Sequence, residues 1–164
     1  KVKFRESFRP FAPSVLREDL HRWFNFDCDS PYMLLVADVN KEIKKEMTKD
    51  DTKLFGIEKL NKVRSEIPAV THVDYSARIQ TVHKETNLKY YNLIKKFKEI
   101  TGCPVIVNTS FNVRGEPIVC STEDAFNCFM GTNLDMLVCN NFILYKEKQK
   151  TELIKDYKNK YKLD

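Results

Sequence analysis

The spacing of apolar residues predicts two amphipathic helices in the second half of the chain. The clearest helical period covers residues 88–101, where apolar side chains recur every three or four positions and the pattern ends at Gly102. A second helix is predicted from the capping-box pair Ser121 and Asp124 to a point near Gly131. Each pattern combines an apolar face with a recognisable end signal, so we expect both helices to pack against a sheet.

Short apolar runs with β-prone residues predict the strands. They lie at residues 32–39, 70–74, 77–83, 104–108, 135–139 and 142–146, and the second and third of these could form one bent strand. The run at 32–39 is apolar almost throughout, which predicts a strand buried inside a sheet. Residues 16–24 instead have apolar positions at helical spacing, with Ser14 as the predicted cap. Strands and helices alternate, so the predicted fold class is α/β, with α+β as the alternative.

Charged segments surround these elements without adding a second core. Residues 41–65 are predicted to be a mobile or inserted connector, and residues 147–164 a peripheral charged tail helix. The chain has 164 residues and 42% hydrophobic content, which is enough for one sizeable core and too little for two independent ones. We therefore predict a single domain over residues 1–164. The chain opens with Lys1, directly in a dense motif, so we also expect an upstream portion of the protein.

Composition narrows the range of functions. Much of the lysine lies in segments that are typical of solvated surface, notably Lys146 to Lys162, so the net charge of +5 does not by itself indicate a nucleic acid partner. Five cysteines lack a CxxC pair or a histidine at metal-ligand spacing, so reduced thiols and no metal site are predicted. No apolar run reaches the roughly 18 residues of a membrane span, and no signal-peptide pattern is present. A cytoplasmic protein without a membrane anchor is therefore expected.

The opening motif KFRESFRPFAP is the first candidate for chemistry. It holds Lys3, Arg5 and Arg9 within seven residues, and in an extended segment the three would share one face because side chains alternate. Such a set of cations suits phosphate oxygens, and arginine adds a fork of donors. An exposed basic edge strand is the alternative interpretation of the same residues.

A second motif, VIVNTSFNVRGEP, follows the predicted strand at 104–108. Its loop carries short polar side chains and one cation, at Asn108, Thr109, Ser110, Asn112 and Arg114. Ligands in open α/β sheets bind beyond the carboxyl ends of strands, which is the position of this loop. Replacing Ser110 or Asn112 by Ala is predicted to weaken nucleotide binding without unfolding the protein. If these residues only build a turn, they should affect stability alone.

A third motif, HVDYSARIQTVH, surrounds a predicted turn at 74–76. Arg78 could bind a carbonyl or phosphate group, and His72 or Asp74 could orient a substrate. His83 is interpreted as structural, since a lone strand histidine is more often packed or exposed than catalytic. The three motifs are predicted to converge on one concave pocket through Lys3, Arg9, Arg78, Ser110 and Asn112.

Together, these strings resemble a known family. KFRESFRPFAPSVL, THVDYSARIQTV, CPVIVNTSFNVRGEPIVCSTEDAFNCF and LDMLVCNNFILYK are similar, in the same order, to the C-terminal domain of the NodU and nebramycin-synthase type carbamoyltransferases. The similarity runs from Lys1 to about Lys146. The NTSFNxRGEPI string is too long for coincidence. One departure is Tyr75, where the family usually has Gly in the turn, which puts the turn geometry and the position of Arg78 in doubt.

The resemblance implies a YrdC-like fold, a twisted mixed sheet flanked by helices. It implies that the domain binds carbamoyl phosphate and ATP, with Mg²⁺, and joins them into carbamoyl-adenylate. An upstream actin-like domain of the same protein would pass the carbamoyl group to an acceptor hydroxyl. By the same resemblance the catalytic residues are Lys3, Arg9 and Arg78, and the substrate- and nucleotide-binding residues are Arg5, Asn108, Thr109, Ser110, Asn112 and Arg114. The alternatives are a non-catalytic nucleotide- or RNA-binding module and a structural docking domain.

Overall fold

The computed structural model describes residues 3–4 and 9–161, without the side chains of residues 158 and 159. The predicted site residue Arg5 lies outside the described residues. The chain divides into two compact units, and each is described by itself. The larger unit is Phe8–Thr109, and the smaller unit combines Lys1–Ser7 with Ser110–Asp164. Helices and strands are mixed throughout, so the predicted α/β class is confirmed.

A four-stranded mixed sheet forms the centre of the larger unit. Its strands are β1 (Ala12–Leu16), β2 (Leu35–Asp38), β3 (Ser76–Val82) and β4 (Val105–Asn108), in the order β2-β3-β1-β4. β1 runs parallel to β3 and antiparallel to β4, while β2 runs antiparallel to β3. β1 is therefore hydrogen-bonded on both edges, which explains why all five of its residues are buried.

Short helices and one long helix connect these strands. The helices are α1 (Leu20–Trp23), α2 (Lys49–Lys53), α3 (Gly56–Leu60) and α4 (Leu88–Thr101), with 3-10 turns at Arg17–Asp19, Lys41–Ile43 and Pro68–Val70. The predicted bounds of α4 are confirmed. Its first turn is capped by the Asn87 side chain, which accepts a hydrogen bond from the Tyr90 amide. It ends at Gly102, whose φ of 78° is the left-handed conformation that glycine favours.

The two faces of the sheet differ in chemistry. One face contributes Val15, Ala77, Ile79 and Val105 to the main apolar core. On the other face, Ile94 of α4 packs over Leu16 and Val82 and covers one end. The opposite end of that face lies beyond the residues that α4 covers. That end carries polar residues of the candidate site, and residues 31–33 contact two of them, Gln80 and Asn108.

Two predictions about the first strands were wrong. The helix predicted near residues 16–24 is present as the 3-10 turn Arg17–Asp19 followed directly by α1, but Ser14, its predicted cap, lies in the middle of the strand Ala12–Leu16. Pairing with strands from distant parts of the chain outweighs the local helical spacing there. The run at 32–39 does contain β2, but β2 is an edge strand rather than an interior one. Its Leu35 and Val36 are 44% and 56% exposed, respectively.

The turn before β3 contains the departure noted at Tyr75. Tyr75 has a φ of 67°, a left-handed conformation that is unfavourable for a tyrosine. Its amide donates to the His72 carbonyl over 3.1 Å, and its ring lies 5.2 Å from the Lys44 ammonium. Its own carbonyl accepts from the Val39 amide at 2.8 Å. The predicted turn at 74–76 is one residue too late, since Ser76 already begins β3, and the strand predicted at 70–74 is absent because the chain forms the 3-10 turn Pro68–Val70 and then this turn. Surrounding contacts hold the strained Tyr75 in place.

The smaller unit is built from a helix, a hairpin and a short terminal helix. These are α5 (Thr122–Gly131), the hairpin strands β5 (Met136–Cys139) and β6 (Phe142–Tyr145), and α6 (Tyr157–Lys160), with 3-10 turns at Lys146–Lys148 and Thr151–Leu153. Ser121 and Asp124 form the predicted capping box of α5. Asn140 turns the hairpin with a φ of 51°. No helix among the described residues is long and apolar enough to cross a membrane.

Candidate functional site

Lys3 is a buried cation in the smaller unit. Only 8% of it is exposed, and its ammonium donates to Ser110 Oγ at 2.8 Å and Asn112 Oδ1 at 2.7 Å. It also donates to the main-chain carbonyl of Ser110. A buried charge is costly unless its donors are satisfied, and these three acceptors satisfy the three ammonium hydrogens. The first and second motifs, over a hundred residues apart, thus form one cluster, which we call the Lys3 cluster (Lys3, Ser110, Asn112).

The loop that carries Ser110 and Asn112 is closed by its own hydrogen bonds. Asn112 Nδ2 donates to the Glu116 carbonyl at 2.7 Å, and the Val113 amide donates to Glu116 Oε2 at 2.8 Å. The Arg114 amide donates to the Lys3 carbonyl at 3.1 Å. Gly115, between Arg114 and Glu116, has a φ of 77°, a conformation that residues with a side chain rarely adopt. The loop geometry is therefore fixed by backbone and side-chain contacts.

A thiol beneath this loop is held in its neutral form. Cys128 is fully buried, and burial together with a hydrogen bond to Glu116 raises the pKa of Cys128 to about 12, although the Lys3 charge opposes this. Burial and the nearby Glu116 carboxylate likewise raise the pKa of Tyr157. Because the thiolate is the reactive form, Cys128 is not suited to act as a nucleophile at neutral pH.

The Lys3 cluster can exchange a neutral acceptor for an anion. Ser110 is an exposed residue, and its hydroxyl donates to Asn112 Oδ1 over 2.7 Å. Hydrogen bonds from an ammonium to an anionic oxygen are about twice as strong as those to neutral groups. An incoming phosphate oxygen could thus take both an ammonium hydrogen of Lys3 and the hydroxyl hydrogen of Ser110.

The end of this sheet face that lies away from the Ile94 contact carries a second polar group. Ser14 pairs with Gln80 across β1 and β3, and Ala12 pairs with Asn108 across β1 and β4. Side chains alternate along strands, so these residues and Arg78 lie on the same face. Gln80 Oε1 accepts from Ser14 Oγ and from Asn108 Nδ2, each over 2.6 Å.

A cavity of about 240 Å³ adjoins this face. It is lined by Pro10, Phe11, Ala12, Val36, His72 and Arg78. Val36 is the cross-strand partner of Arg78, so the two side chains lie side by side on the sheet. Arg78 is exposed, and its guanidinium can supply several donors to a small anion or carbonyl group.

His72 is fixed by a short hydrogen-bonded chain. Its Nδ1 lies 2.9 Å from Ser76 Oγ, and Ser76 Oγ donates to Asp74 Oδ1 at 2.7 Å. The hydroxyl and amide of Ser76 both donate to the Asp74 carboxylate, and this lowers the pKa of Asp74. Asp74 is thus held as an anion that accepts hydrogen bonds from Ser76.

Comparison with known proteins shows the family of this chain. The family described as Carbamoyltransferase C-terminus matches residues 1–146. The chain belongs to that family. The protein sll1178 of Synechocystis is 57% identical over 165 residues, covering 100% of this chain and 27% of that protein. The nodulation protein NolO of Bradyrhizobium diazoefficiens is 40% identical over 148 residues, covering 88% of this chain and 23% of the protein.

Relatives with a named activity match in the same way. The 3'-hydroxymethylcephem-O-carbamoyltransferase of Amycolatopsis lactamdurans is 34% identical over 124 residues, which is 76% of this chain and 20% of that enzyme. The chain thus spans about a quarter or less of the length of these relatives. The predicted resemblance to the C-terminal domain of carbamoyltransferases is confirmed.

The two units of this carbamoyltransferase C-terminal domain divide the predicted site residues. The smaller unit brings together Lys3, Ser110 and Asn112, with the backbone of Arg114 bonded to Lys3. In the larger unit, Arg78 and Asn108 share one face of the sheet. Arg9 is exposed and directly precedes Pro10, which lines the cavity. Thr109 follows the last residue of β4 and is half-buried. Convergence of all these residues on one pocket stays a prediction, as do their individual roles.

Two polar residues of the sheet face were missed by sequence reasoning. The sequence predicts Ser14 as a helix cap, and it gives Gln80 only a place within the predicted strand at 77–83. If residues 12–16 are taken as a strand, the alternation of side chains places Ser14 on the sheet face opposite to Val15. The partners of Gln80 depend on strand order, for which the sequence carries no local signal.

Proposed function

We propose that this carbamoyltransferase C-terminal domain binds carbamoyl phosphate and ATP and forms carbamoyl-adenylate. An actin-like domain upstream in the same protein would then transfer the carbamoyl group to an acceptor hydroxyl. The observation that carries the proposal is the Lys3 cluster. The ammonium of Lys3 lies 2.8 Å and 2.7 Å from side-chain oxygens that are 107 and 109 residues away in the chain. The family resemblance assigns a catalytic role to Lys3 and substrate or nucleotide binding to Ser110 and Asn112.

The proposed chemistry proceeds in two steps. Water first displaces phosphate from carbamoyl phosphate and leaves carbamate. A carbamate oxygen then attacks the α-phosphorus of ATP, and the bond to the leaving pyrophosphate breaks. The main demand on the protein is to offset negative charge on the phosphates, which suits Lys3, Arg9 and Arg78. Mg²⁺ would arrive with the nucleotide and neutralise part of the pyrophosphate.

The dimensions of the cavity beside Arg78 favour the smaller of the two substrates. Pockets for drug-sized ligands usually enclose about 300–1,000 Å³. The cavity here is about 240 Å³, which is more suitable for carbamoyl phosphate than for a whole nucleotide. Arg78 would contact the carbonyl or phosphate oxygens, and the apolar walls of Phe11, Ala12 and Val36 would limit water around the labile carbamate.

The products formed from ATP test the proposal. The chain would be incubated with ATP, Mg²⁺ and fresh carbamoyl phosphate, and the nucleotides would be separated chromatographically. The proposal expects pyrophosphate and carbamoyl-adenylate, which water hydrolyses to AMP and carbamate, so AMP should form only when carbamoyl phosphate is present. An arginine pair provides a matched control, since Arg78 and Arg22 are both exposed arginines of the larger unit. Arg78→Met should lower AMP formation at least tenfold, whereas Arg22→Met should not.

Other product patterns would support other functions. ATP binding without any turnover would support the alternative of a non-catalytic nucleotide-binding module. Release of ADP and phosphate would indicate phosphoryl transfer instead of adenylation. Either result, obtained with folded protein, would contradict the proposed function.

A further inference from the structure

The hydrogen bonds among His72, Ser76 and Asp74 determine which ring nitrogen of His72 carries a proton. A serine hydroxyl has one hydrogen, and Ser76 donates it to the Asp74 carboxylate, which only accepts. Ser76 Oγ can therefore only accept from His72, so Nδ1 is the nitrogen that bears hydrogen. In a neutral imidazole the other nitrogen, Nε2, is then an acceptor. The described residues offer no hydrogen-bond partner to this atom.

His72 and Arg78 bring opposite hydrogen-bonding chemistry to one cavity. Both line the space of about 240 Å³, and its other walls are formed by Pro10, Phe11, Ala12 and Val36. Arginine only donates hydrogen bonds, whereas the free nitrogen of a neutral histidine accepts one. A small ligand that fits both residues needs an acceptor oxygen and an N–H donor close together. Carbamoyl phosphate has both on its carbamoyl group, whereas acetyl phosphate has a methyl group in place of the amine.

We propose that His72 Nε2 accepts an N–H of the carbamoyl group and so selects carbamoyl phosphate over acyl phosphates that lack the amine. This inference rests on the proposed function and names a specificity-determining residue for it. Ser76 and Asp74 are positioning residues, because they act only by keeping the hydrogen of His72 on Nδ1. A ligand with a methyl group at that place leaves the histidine acceptor unpaired, which weakens its binding.

Two stable probes test the selection. Phosphonoacetamide carries the amine, and acetonylphosphonate carries a methyl group at the same position. Titration calorimetry would measure the dissociation constant of each for the wild-type chain and for four variants, after melting curves have shown that each is folded. The variants are His72→Leu, His72→Gln, Ser76→Ala and, as a control, His83→Leu. His83 is a half-buried histidine just beyond β3 that does not line the cavity.

The expected result is a preference that depends on the acceptor atom. The wild-type chain should bind phosphonoacetamide about tenfold more tightly than acetonylphosphonate, which is the value of one good hydrogen bond. His72→Leu should abolish the preference, and Ser76→Ala should reduce it. His72→Gln should restore part of it through the amide oxygen, and His83→Leu should leave it unchanged. A purely structural role would change the affinities for both probes equally.

The failure of this inference can be told apart from that of the proposed function. Equal affinities of the wild-type chain for the two probes, or no binding of either, overturn the role of His72 even if carbamoyl phosphate still drives AMP formation. A preference that survives in His72→Leu also overturns it. If carbamoyl phosphate drives no AMP formation, the proposed function has failed, and the probe affinities still decide whether His72 recognises an amine.

Discussion

At the scale of single residues, Ser110 and Asn112 have different tasks although they belong to one motif. Ser110 is an exposed residue, and its hydroxyl donates to Asn112 Oδ1. Asn112 is half-buried and joins the Lys3 ammonium to the Glu116 carbonyl through its two side-chain atoms. The sequence predicted binding roles for both, and the hydrogen bonds add a structural role for Asn112.

Alanine substitutions should separate these tasks. Ser110→Ala is expected to weaken ATP binding about tenfold, with little change in the melting temperature, because one charge-assisted hydrogen bond is lost. Asn112→Ala should lower the free energy of unfolding by about 1–3 kcal/mol, because the buried Lys3 ammonium loses an acceptor. Calorimetric titration and thermal melts measure both effects, with exposed Asn133→Ala as the control. An unchanged ATP affinity in Ser110→Ala would contradict its binding role.

The buried thiol of Cys128 predicts a pH dependence of stability. Its pKa rises from 9.0 to about 12 on folding, so the unfolded chain loses this proton at a lower pH than the folded chain. The resulting contribution is fully present below about pH 9 and is lost as the pH rises toward 12. Urea unfolding between pH 8 and 11 should show a steeper loss of stability for the wild-type chain than for Cys128→Ala. Parallel curves for the two proteins would rule this out.

At the scale of elements, the sequence predicted the helices whose ends are defined by local signals. The bounds of α4 follow from its apolar period and from Gly102, and those of α5 follow from a capping box. β1 was missed because its strand identity comes from pairing with β3 and β4. For the same reason the edge position of β2 could not be predicted, since strand order is set by non-local pairing.

The contact between α5 and α6 provides a test at this scale. A β-carbon on Gly131 would overlap the ring of Tyr157, which is only 4% exposed. Gly131→Ala is therefore expected to destabilise the chain by about 1–3 kcal/mol, as over-packing does. In a Tyr157→Ala background the same change should be neutral or stabilising by up to about 1 kcal/mol, because alanine favours the helix. Urea unfolding of the four proteins measures this, and equal effects in both backgrounds would contradict the contact.

At the scale of the whole molecule, each of the two units carries one polar group of candidate site residues. The larger unit has a sheet face that α4 covers at one end only, with Arg78 and the His72 cavity at the other. The smaller unit has the Lys3 cluster on a closed loop. The family motifs predicted most of these residues, because they are contiguous strings. The grouping of these residues on one sheet face or in one unit depends on non-local folding, and the sequence carried no signal for that grouping.

The central claim is the formation of carbamoyl-adenylate, and isotope exchange tests it most directly. Radiolabelled pyrophosphate would be incubated with the chain, ATP, Mg²⁺ and either carbamoyl phosphate, acetyl phosphate or no acyl phosphate. Because adenylation is reversible, we predict that label enters ATP only with carbamoyl phosphate and that Arg78→Met slows this exchange at least tenfold. Label that enters ATP equally in all three mixtures, or in none of them, would contradict the claim.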